Sequence, residues 1–130
     1  MSKKVLVVDD DPDVRLFSVS VIEDNGYTPI EAEDGVEGKD KITKDMPDLV
    51  VLDVLMPRAS GISLYRELKT NKAFKKIPVI IQSGIAEKSF LRSQKALTEF
   101  GGAKVPEPDA YLEKPVEPEE LADTIKKFIG

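Results

Sequence analysis

Five short apolar runs, each followed by a stretch with helical spacing, constrain the fold of this 130-residue chain more than any other feature. The runs are VLVV (5–8), YTPIEA (27–32), DLVVLD (48–53), IPVIIQS (77–83) and AYLE (110–113). Nearly continuous Val, Ile and Leu strands are typical of a parallel sheet that is covered on both faces. Because right-handed crossovers join such strands, the alternation predicts an α/β fold, a (βα)5 chain with a doubly wound parallel five-stranded sheet.

The segments between the runs carry the start, stop and spacing signals of helices. Asp11 is expected to cap the first helix, with Pro12 at its first position, and Asn25-Gly26 is expected to end it. The second helix, at about 35–45, contains Gly38, which lowers its intrinsic helix propensity. Apolar residues at helical spacing mark the third helix (Leu64, Tyr65, Leu68), the fourth at about 86–100 (Phe90, Leu91, Leu97, Phe100) and the last (Leu121, Ile125, Phe128, Ile129).

Composition and charge exclude several classes of protein. The chain has no cysteine and no histidine, so disulfides, thiolate zinc sites, a cysteine nucleophile and serine–histidine catalysis are ruled out. The net charge of −5 argues against direct binding of nucleic acid. The sequence has no apolar run of membrane-spanning length and no signal-peptide pattern, so we expect a cytoplasmic protein without membrane insertion. Because no linker is apparent, we also expect a single domain over residues 1–130, with no output domain.

Chemically active side chains follow the predicted strands at their carboxyl ends, where open parallel sheets place their sites. Asp9 and Asp10 follow the first strand, Asp53 ends the third, Ser83 ends the fourth, and Lys114 follows the fifth. Three carboxylates without histidine or cysteine make an oxygen-rich site that suits Mg²⁺. A lysine and a hydroxyl group opposite such a site are suitable partners for phosphoryl oxygens. The pattern therefore indicates phosphoryl transfer.

The chain resembles the response-regulator receiver domain, the phospho-acceptor of two-component signalling. The matching stretches are VLVVDDDPDVR, DLVVLDVLMPRASG, IPVIIQSG and YLEKP, in the family's order and over essentially the whole chain. The resemblance implies the flavodoxin-like strand order 2-1-3-4-5 and a stand-alone response regulator of the chemotaxis or phosphorelay type. Such a protein is a signalling switch rather than an enzyme. Its partners would be a histidine kinase or phosphotransfer protein and a downstream protein target.

The resemblance also gives each residue of the predicted site a role. Asp53 is the expected phosphorylation site. Asp10, Asp53 and the backbone carbonyl of Leu55 are expected to bind Mg²⁺, and Asp9 is expected to act on the ion through a water molecule. Ser83 and Lys114 are expected to hold the phosphoryl group.

The remaining expectations concern switching and loop geometry. Ser83 and Tyr111 match the switch residues of the family, whose movement would change the face made by helix four, strand five and helix five. For Tyr111, ordinary packing of a strand residue on a helix is the alternative. Pro57 and Gly61 are suited to the turn that leads into helix three. The resemblance implies a cis peptide bond between Lys114 and Pro115.

The chain departs from the family between Ser83 and Lys114, which lie 31 positions apart, a longer spacing than usual. We expect the extra residues in a longer helix four and in the loop GGAKVPEPD (101–109). Two interpretations remain open. The extra residues could form a partner surface, to which Phe90, Phe100, Lys88, Arg92 and Lys95 would contribute. Alternatively, they are a tolerated loop insertion, with Phe90 and Phe100 in the core.

Two apolar residues predict how long a phosphoryl group would persist. Leu55 and Ile85 lie two positions after Asp53 and Ser83. In receiver domains, the residues at these two positions flank the path of the water molecule that removes the phosphoryl group. Neither side chain can orient a water molecule, so we expect slow self-dephosphorylation.

Three other functions are weighed against the receiver. A Mg²⁺-dependent aspartyl-phosphate phosphatase would place its nucleophile in an Asp-x-Asp pattern on strand one and would need a cap domain. A flavin- or nucleotide-binding module would need a phosphate loop after strand one, where this chain has acids. A non-phosphorylated docking module would keep the acids without their chemistry.

Overall fold

Strands and helices alternate as the sequence predicts. The computed structural model describes residues 2–99 and 104–130. Its elements are β1 (Lys4–Val8), α1 (Pro12–Asp24), β2 (Thr28–Ala32), α2 (Gly35–Asp45), β3 (Leu49–Leu52), a 3-10 turn (Pro57–Ala59), α3 (Ser60–Thr70), β4 (Val79–Ser83), α4 (Glu87–Glu99), β5 (Ala110–Glu113) and α5 (Pro118–Ile129).

The five strands form one parallel sheet in the order β2-β1-β3-β4-β5. The predicted fold class and strand order are therefore confirmed. β1 and β3 lie side by side at the centre, with Val8 opposite Leu52, so the residues that follow these strands emerge next to one another. The strand order reverses at this point, and the carboxyl ends of the strands leave a crevice there.

Two apolar clusters, one on each face of the sheet, explain why the strands read as continuous apolar runs. Leu6 and Val8 pack with α2, α3 and α4, whereas Val5 and Val7 pack with α1 and α5. All four side chains are at most 1% exposed. Since each fully buried side chain of this size contributes about 1.5–3 kcal/mol, every residue of such a strand stabilises the fold.

Local signals in the sequence explain how the helices begin and end. The carboxylate of Asp11 accepts a hydrogen bond from the N–H of Asp13 at 2.9 Å, and Pro12 is the first residue of α1, as predicted. Gly26 follows the helix with a φ of +85°, in the left-handed region that favours glycine. Gly38 lets α2 pack closely, because a Cβ there would lie 2.8 Å from a methyl group of Leu64, which would have to shift.

The interpretation of Phe90 as a surface residue is wrong, because its side chain is 2% exposed and belongs to the core. Lys88, Arg92 and Lys95 of α4 are exposed. Phe100 and residues 101–103 of the predicted loop lie outside the described residues. Within residues 2–99 and 104–130, no helix is long and apolar enough to span a membrane.

Candidate functional site

The predicted site residues come together at the carboxyl edge of the sheet. Asp9 follows β1, Asp53 follows β3, Ser83 is the last residue of β4, and Lys114 follows β5. Asp9, Asp53 and Ser83 are buried, with exposed fractions of 2%, 4% and 0%. Parallel pairing of the four strands therefore assembles side chains that are far apart in the sequence.

Lys114 joins the two buried carboxylates. Its Nζ donates to Oδ2 of Asp9 at 3.0 Å and to Oδ2 of Asp53 at 3.2 Å. The backbone N–H of Lys114 donates to the carbonyl of Ser83 at 2.8 Å, so the lysine is held by the sheet itself. Charge-assisted hydrogen bonds of this kind are about twice as strong as neutral ones.

The second oxygen of each buried carboxylate accepts a hydrogen bond from its own loop. Oδ1 of Asp9 accepts from the N–H of Asp11 at 2.9 Å, and Oδ1 of Asp53 accepts from the N–H of Leu55 at 2.8 Å. Aspartate side chains commonly stabilise turns in this way. The same bonds fix the carboxylates and the backbone on which the neighbouring residues lie.

Burial and charge act in opposition at this edge of the sheet. Burial raises the pKa of Asp9 above its ordinary value, and the Asp11 N–H and Lys114 offset only part of that rise. Burial acts to lower the pKa of Lys114, but the hydrogen bond to Asp9 and the charges of both carboxylates outweigh it and raise that pKa. The lysine is therefore firmly cationic, while the Asp9 carboxylate is incompletely compensated.

The acids also fit a divalent cation. Carboxylate oxygens of Asp9, Asp10 and Asp53 all lie within 4.8 Å of one another, with Asp10 exposed and the other two buried. A hard cation prefers such oxygen donors, and one at this place would relieve the incomplete compensation of Asp9. Because Asp10 is exposed, the donor set also reaches solvent, from which Mg²⁺ commonly retains water ligands.

Ser83 and Tyr111 meet at the loop after β4. Oγ of Ser83 accepts a hydrogen bond from the N–H of Ile85 at 3.3 Å, and the hydroxyl of Tyr111 donates to the carbonyl of Ile85 at 2.6 Å. Burial and then the charge of Glu113 raise the pKa of Tyr111 to about 12, and a hydrogen bond with Ser83 opposes this rise. The two predicted switch residues, Ser83 and Tyr111, are therefore linked because both form hydrogen bonds with the backbone of Ile85.

The loop between β3 and α3 brings the helix close to the site. Pro57 begins the 3-10 turn. A Cβ on Gly61 would lie 2.3 Å from the backbone oxygen of Asp53, so only glycine fits there. At the end of β5, the Lys114–Pro115 peptide bond is cis. The exposed side chain of Leu55 lies outside the core, whereas Ile85 packs partly against it.

Sequence reasoning missed two arginines, one bonded to a residue of this site and one in the turn that leads into α3. Arg15 donates to the backbone carbonyl of Asp9 at 2.8 Å, and its Nε lies 3.4 Å from the carboxylate of Glu31 in β2. The available signal was position: Arg15 lies one helical turn after the Asp11 cap. Arg58 occupies the left-handed region at a φ of +62°, although arginine has no preference for that conformation.

Comparison with curated proteins identifies relatives of two lengths. The chain is 31% identical to sporulation initiation phosphotransferase F of Bacillus subtilis, over 99% of this chain and 95% of that protein. It is 30% identical to the polar-differentiation response regulator DivK of Brucella ovis, over 100% and 98%. It is 32% identical to the phosphate regulon transcriptional regulatory protein PhoB of Escherichia coli, over 97% of this chain but only 51% of PhoB. The chain thus spans about half the length of PhoB.

Solved structures and a family profile agree with these relatives. The chemotaxis response regulator CheY4 of Vibrio cholerae matches with a TM-score of 0.79 and 26% identity, over 98% of this chain and 99% of CheY4. A putative response regulator of Chloroflexus aurantiacus matches with a TM-score of 0.80 and 29% identity, over 99% and 98%. The profile of the response regulator receiver domain matches residues 5–126. The chain therefore belongs to the response regulator receiver domain family.

Proposed function

We propose that this protein accepts a phosphoryl group on Asp53 in a Mg²⁺-dependent reaction, with a histidine kinase or phosphotransfer protein as donor. The observation that carries the proposal is the position of Lys114, whose Nζ lies 3.0 Å from Asp9 and 3.2 Å from Asp53 among three clustered carboxylates. Receiver domains of this family are signalling switches, and two relatives of nearly the same length are described as a phosphotransferase and a response regulator.

The proposed reaction transfers one phosphoryl group between side chains. A carboxylate oxygen of Asp53 attacks phosphorus, an O–P bond forms, and the P–N bond of the donor phosphohistidine breaks. The electron pair of that bond goes to the imidazole nitrogen, which takes up a proton. The Lys114 ammonium, held by the backbone of β5 and β4, stabilises the negative charge on the phosphoryl oxygens.

Mg²⁺ would be held by Asp10, Asp53 and the backbone carbonyl of Leu55, and by Asp9 through a water molecule. When bound, the ion neutralises charge on the carboxylates and on the phosphoryl oxygens. The Leu55 N–H and Lys114 already fix the two oxygens of Asp53. The acceptor is therefore held in place by this chain's own groups, and little reorganisation is needed at the moment of transfer.

The switch that we propose begins at Ser83. Its hydroxyl turns to hold the phosphoryl group, and the loop to Ile85, which is bonded to Ser83 and to Tyr111, moves with it. Tyr111 then adjusts, and the face made by α4, β5 and α5 changes shape for a downstream protein target. In this proposal the protein acts in the cytoplasm through protein contacts, without binding nucleic acid itself.

Intact mass after incubation with Mg²⁺ and acetyl phosphate tests the proposal. We expect the natural protein to gain one phosphoryl group only when Mg²⁺ is present, and Asp53→Asn to gain none. Asp40→Asn is the matched control, because Asp40 is an exposed residue of α2 outside the acidic cluster, and it is expected to gain the group normally.

Other outcomes point to the alternative functions. Unchanged mass gain in Asp53→Asn would refute the assignment of the acceptor. Turnover of a generic phosphoester, lost in Asp53→Asn, would identify the aspartyl-phosphate phosphatase instead. No gain together with no binding of Mg²⁺ would identify a non-phosphorylated docking module.

A further inference from the structure

Three aromatic rings form a continuous row on the face of the sheet that carries α3 and α4. Tyr65 of α3, Phe90 of α4 and Tyr111 of β5 are its members, and we call them the aromatic row. The ring centroids are 5.2 Å apart between Tyr65 and Phe90, which meet edge to face, and 5.6 Å apart between Phe90 and Tyr111. Tyr65 is 1% exposed and Phe90 is 2% exposed, so two of the three rings are enclosed in the core.

At each end of the aromatic row, a tyrosine hydroxyl group donates a hydrogen bond to a backbone carbonyl of a loop. At one end, Tyr111 donates to the carbonyl of Ile85, two residues after Ser83. At the other end, the hydroxyl of Tyr65 donates to the carbonyl of Pro106. The row therefore connects the loop beside the acceptor site with the residues that precede β5.

The residues held by Tyr65 belong to the part of the chain that departs from the family. We call residues 104–109, KVPEPD, the pre-β5 segment. Its last residue is fixed: Asp109 pairs with buried Lys69 at 2.5 Å and accepts from the N–H of Val79 at 2.7 Å. The segment is thus attached to α3 at two points, and the one at Pro106 belongs to the aromatic row.

Close packing makes the row suitable for transmitting a displacement. A protein interior is as dense as an organic crystal, so an enclosed ring cannot move without moving its neighbours or leaving a void. If Tyr111 adjusts when Ser83 and Ile85 move, we expect Phe90 to follow, because the alternative is a void beside its ring, and Tyr65 lies in contact with Phe90. Tyr65 carries the carbonyl of Pro106 with it.

We propose that Phe90 and Tyr65 are positioning residues that couple Tyr111 to the pre-β5 segment, so that phosphorylation of Asp53 repositions this segment on α3. The inference rests on the proposed function, since Tyr111 is its point of entry. It adds a second responsive surface, next to α3, to the face made by α4, β5 and α5.

Amide spectra of ¹⁵N-labelled protein with Mg²⁺, before and after addition of beryllofluoride as a phosphoryl mimic, test the proposal. The N–H groups of Leu55 and Ile85 report on the site, because they bond to Asp53 and Ser83. Those of Val105 and Glu107 report on the pre-β5 segment. In the natural protein we expect both pairs to shift. In Tyr65→Phe we expect the site pair to shift as before, and the segment pair to shift about threefold less or smaller still.

Two further variants separate coupling from plain packing. Tyr27→Phe is the matched control, because Tyr27 is equally a buried tyrosine but packs in the cluster against α1 and α5. It should leave both responses unchanged. Phe90→Leu keeps an apolar side chain, a smaller one, and removes the ring, so it should also uncouple the segment pair while the site pair still shifts.

Each result supports or overturns a definite statement. If neither pair shifts in the natural protein, the proposed function itself is contradicted. If the site pair shifts and the segment pair does not, the function stands and the coupling is wrong. If Tyr65→Phe responds like the natural protein, Tyr65 only packs, and the aromatic row is ordinary core.

Discussion

The buried carboxylate of Asp9 is electrostatically unfavourable in the folded protein. It is 2% exposed, and burial raises its pKa even though Lys114 lies 3.0 Å away. A raised pKa means that the folded protein keeps a proton at pH values where the unfolded chain has released it. The contribution of this group to stability therefore falls as pH rises from 3.8 towards the folded pKa, and stays low above it.

Asp9→Asn is expected to stabilise the protein in the absence of Mg²⁺, because the amide cannot ionise. The gain at pH 7 should be on the order of 1 kcal/mol in the free energy of unfolding. It should shrink as pH falls towards 3.8, where the natural carboxyl group also becomes neutral. Urea unfolding of both proteins from pH 3.5 to pH 7 measures the difference, and a variant less stable at every pH would show that the Lys114 pair dominates instead.

Leu55 determines, on our prediction, how long the phosphoryl group stays on Asp53. Its side chain is 58% exposed beside the acceptor, and it carries no group that can orient water. We therefore expect slow self-dephosphorylation in the natural protein. Leu55→Asn, which keeps the backbone carbonyl, should shorten the half-life on the order of tenfold. Decay of the phosphorylated mass with time measures both, and a natural half-life of seconds would contradict the prediction.

Individual residues also mark the limit of prediction from sequence. The acids, Ser83 and Lys114 were predictable because each lies at the end of a strand, and parallel strands bring their ends together. The contact of Arg15 with the Asp9 carbonyl was not, since a side-chain bond to the backbone leaves no residue-type signal. The left-handed conformation of Arg58 was also missed, because glycine or asparagine would normally signal it.

Gly61 determines how closely α3 packs against the end of β3. A Cβ at this position would lie 2.3 Å from the backbone oxygen of Asp53 and 2.8 Å from the Cα of Val54. Both are backbone atoms at the end of a central strand, which cannot give way easily. The start of α3 can therefore approach the acceptor loop only without a side chain.

Gly61→Ala is expected to destabilise the protein by about 2–3 kcal/mol, because α3 or the Asp53 loop has to shift. Gly84→Ala is the matched control, since a Cβ on Gly84 meets nothing within 4 Å and its φ is not in the left-handed region. Thermal unfolding of the two variants gives the comparison. Equal losses of stability in both would show that the loop yields to the extra methyl group.

The bounds of α2 were predicted correctly from the sequence, although few apolar residues recur in this helix. α2 occupies Gly35–Asp45 although Gly38 weakens its propensity, because the absence of a side chain there lets the helix pack closely on Leu64 and Val8. The placement of Phe90 was left open, since an apolar residue on a helix next to an insertion fits either the core or a surface. Only tertiary contacts, here with Tyr65 and Tyr111, resolve it.

The net charge of −5 and the acidic edge of the sheet predict that divalent cations stabilise the folded protein. A ligand that binds only the folded state stabilises it by mass action. If Mg²⁺ binds as we propose, it should raise the stability of the entire sheet, because the carboxylates that would hold it follow the two central strands.

We expect free Mg²⁺ at about ten times its dissociation constant to stabilise the protein by about 1.4 kcal/mol. This corresponds to a rise in Tm of roughly 5 °C for a chain of this size. Asp53→Asn, which removes one carboxylate, should show a clearly smaller rise. Scanning calorimetry with NaCl at equal ionic strength provides the control, and an equal rise in NaCl would show that Mg²⁺ acts only by screening.

The ion pair between Lys114 and Asp9 joins residues that are 105 positions apart in the chain. During synthesis the amino-terminal strands emerge first, yet the lysine that completes the site arrives only with β5. A chain that is still growing, or one that has lost its last strand, therefore presents acids without their cation. On our proposal, a kinase would find a competent acceptor only in a protein in which β5 has joined the sheet. Phosphorylation would therefore be restricted to completely folded molecules.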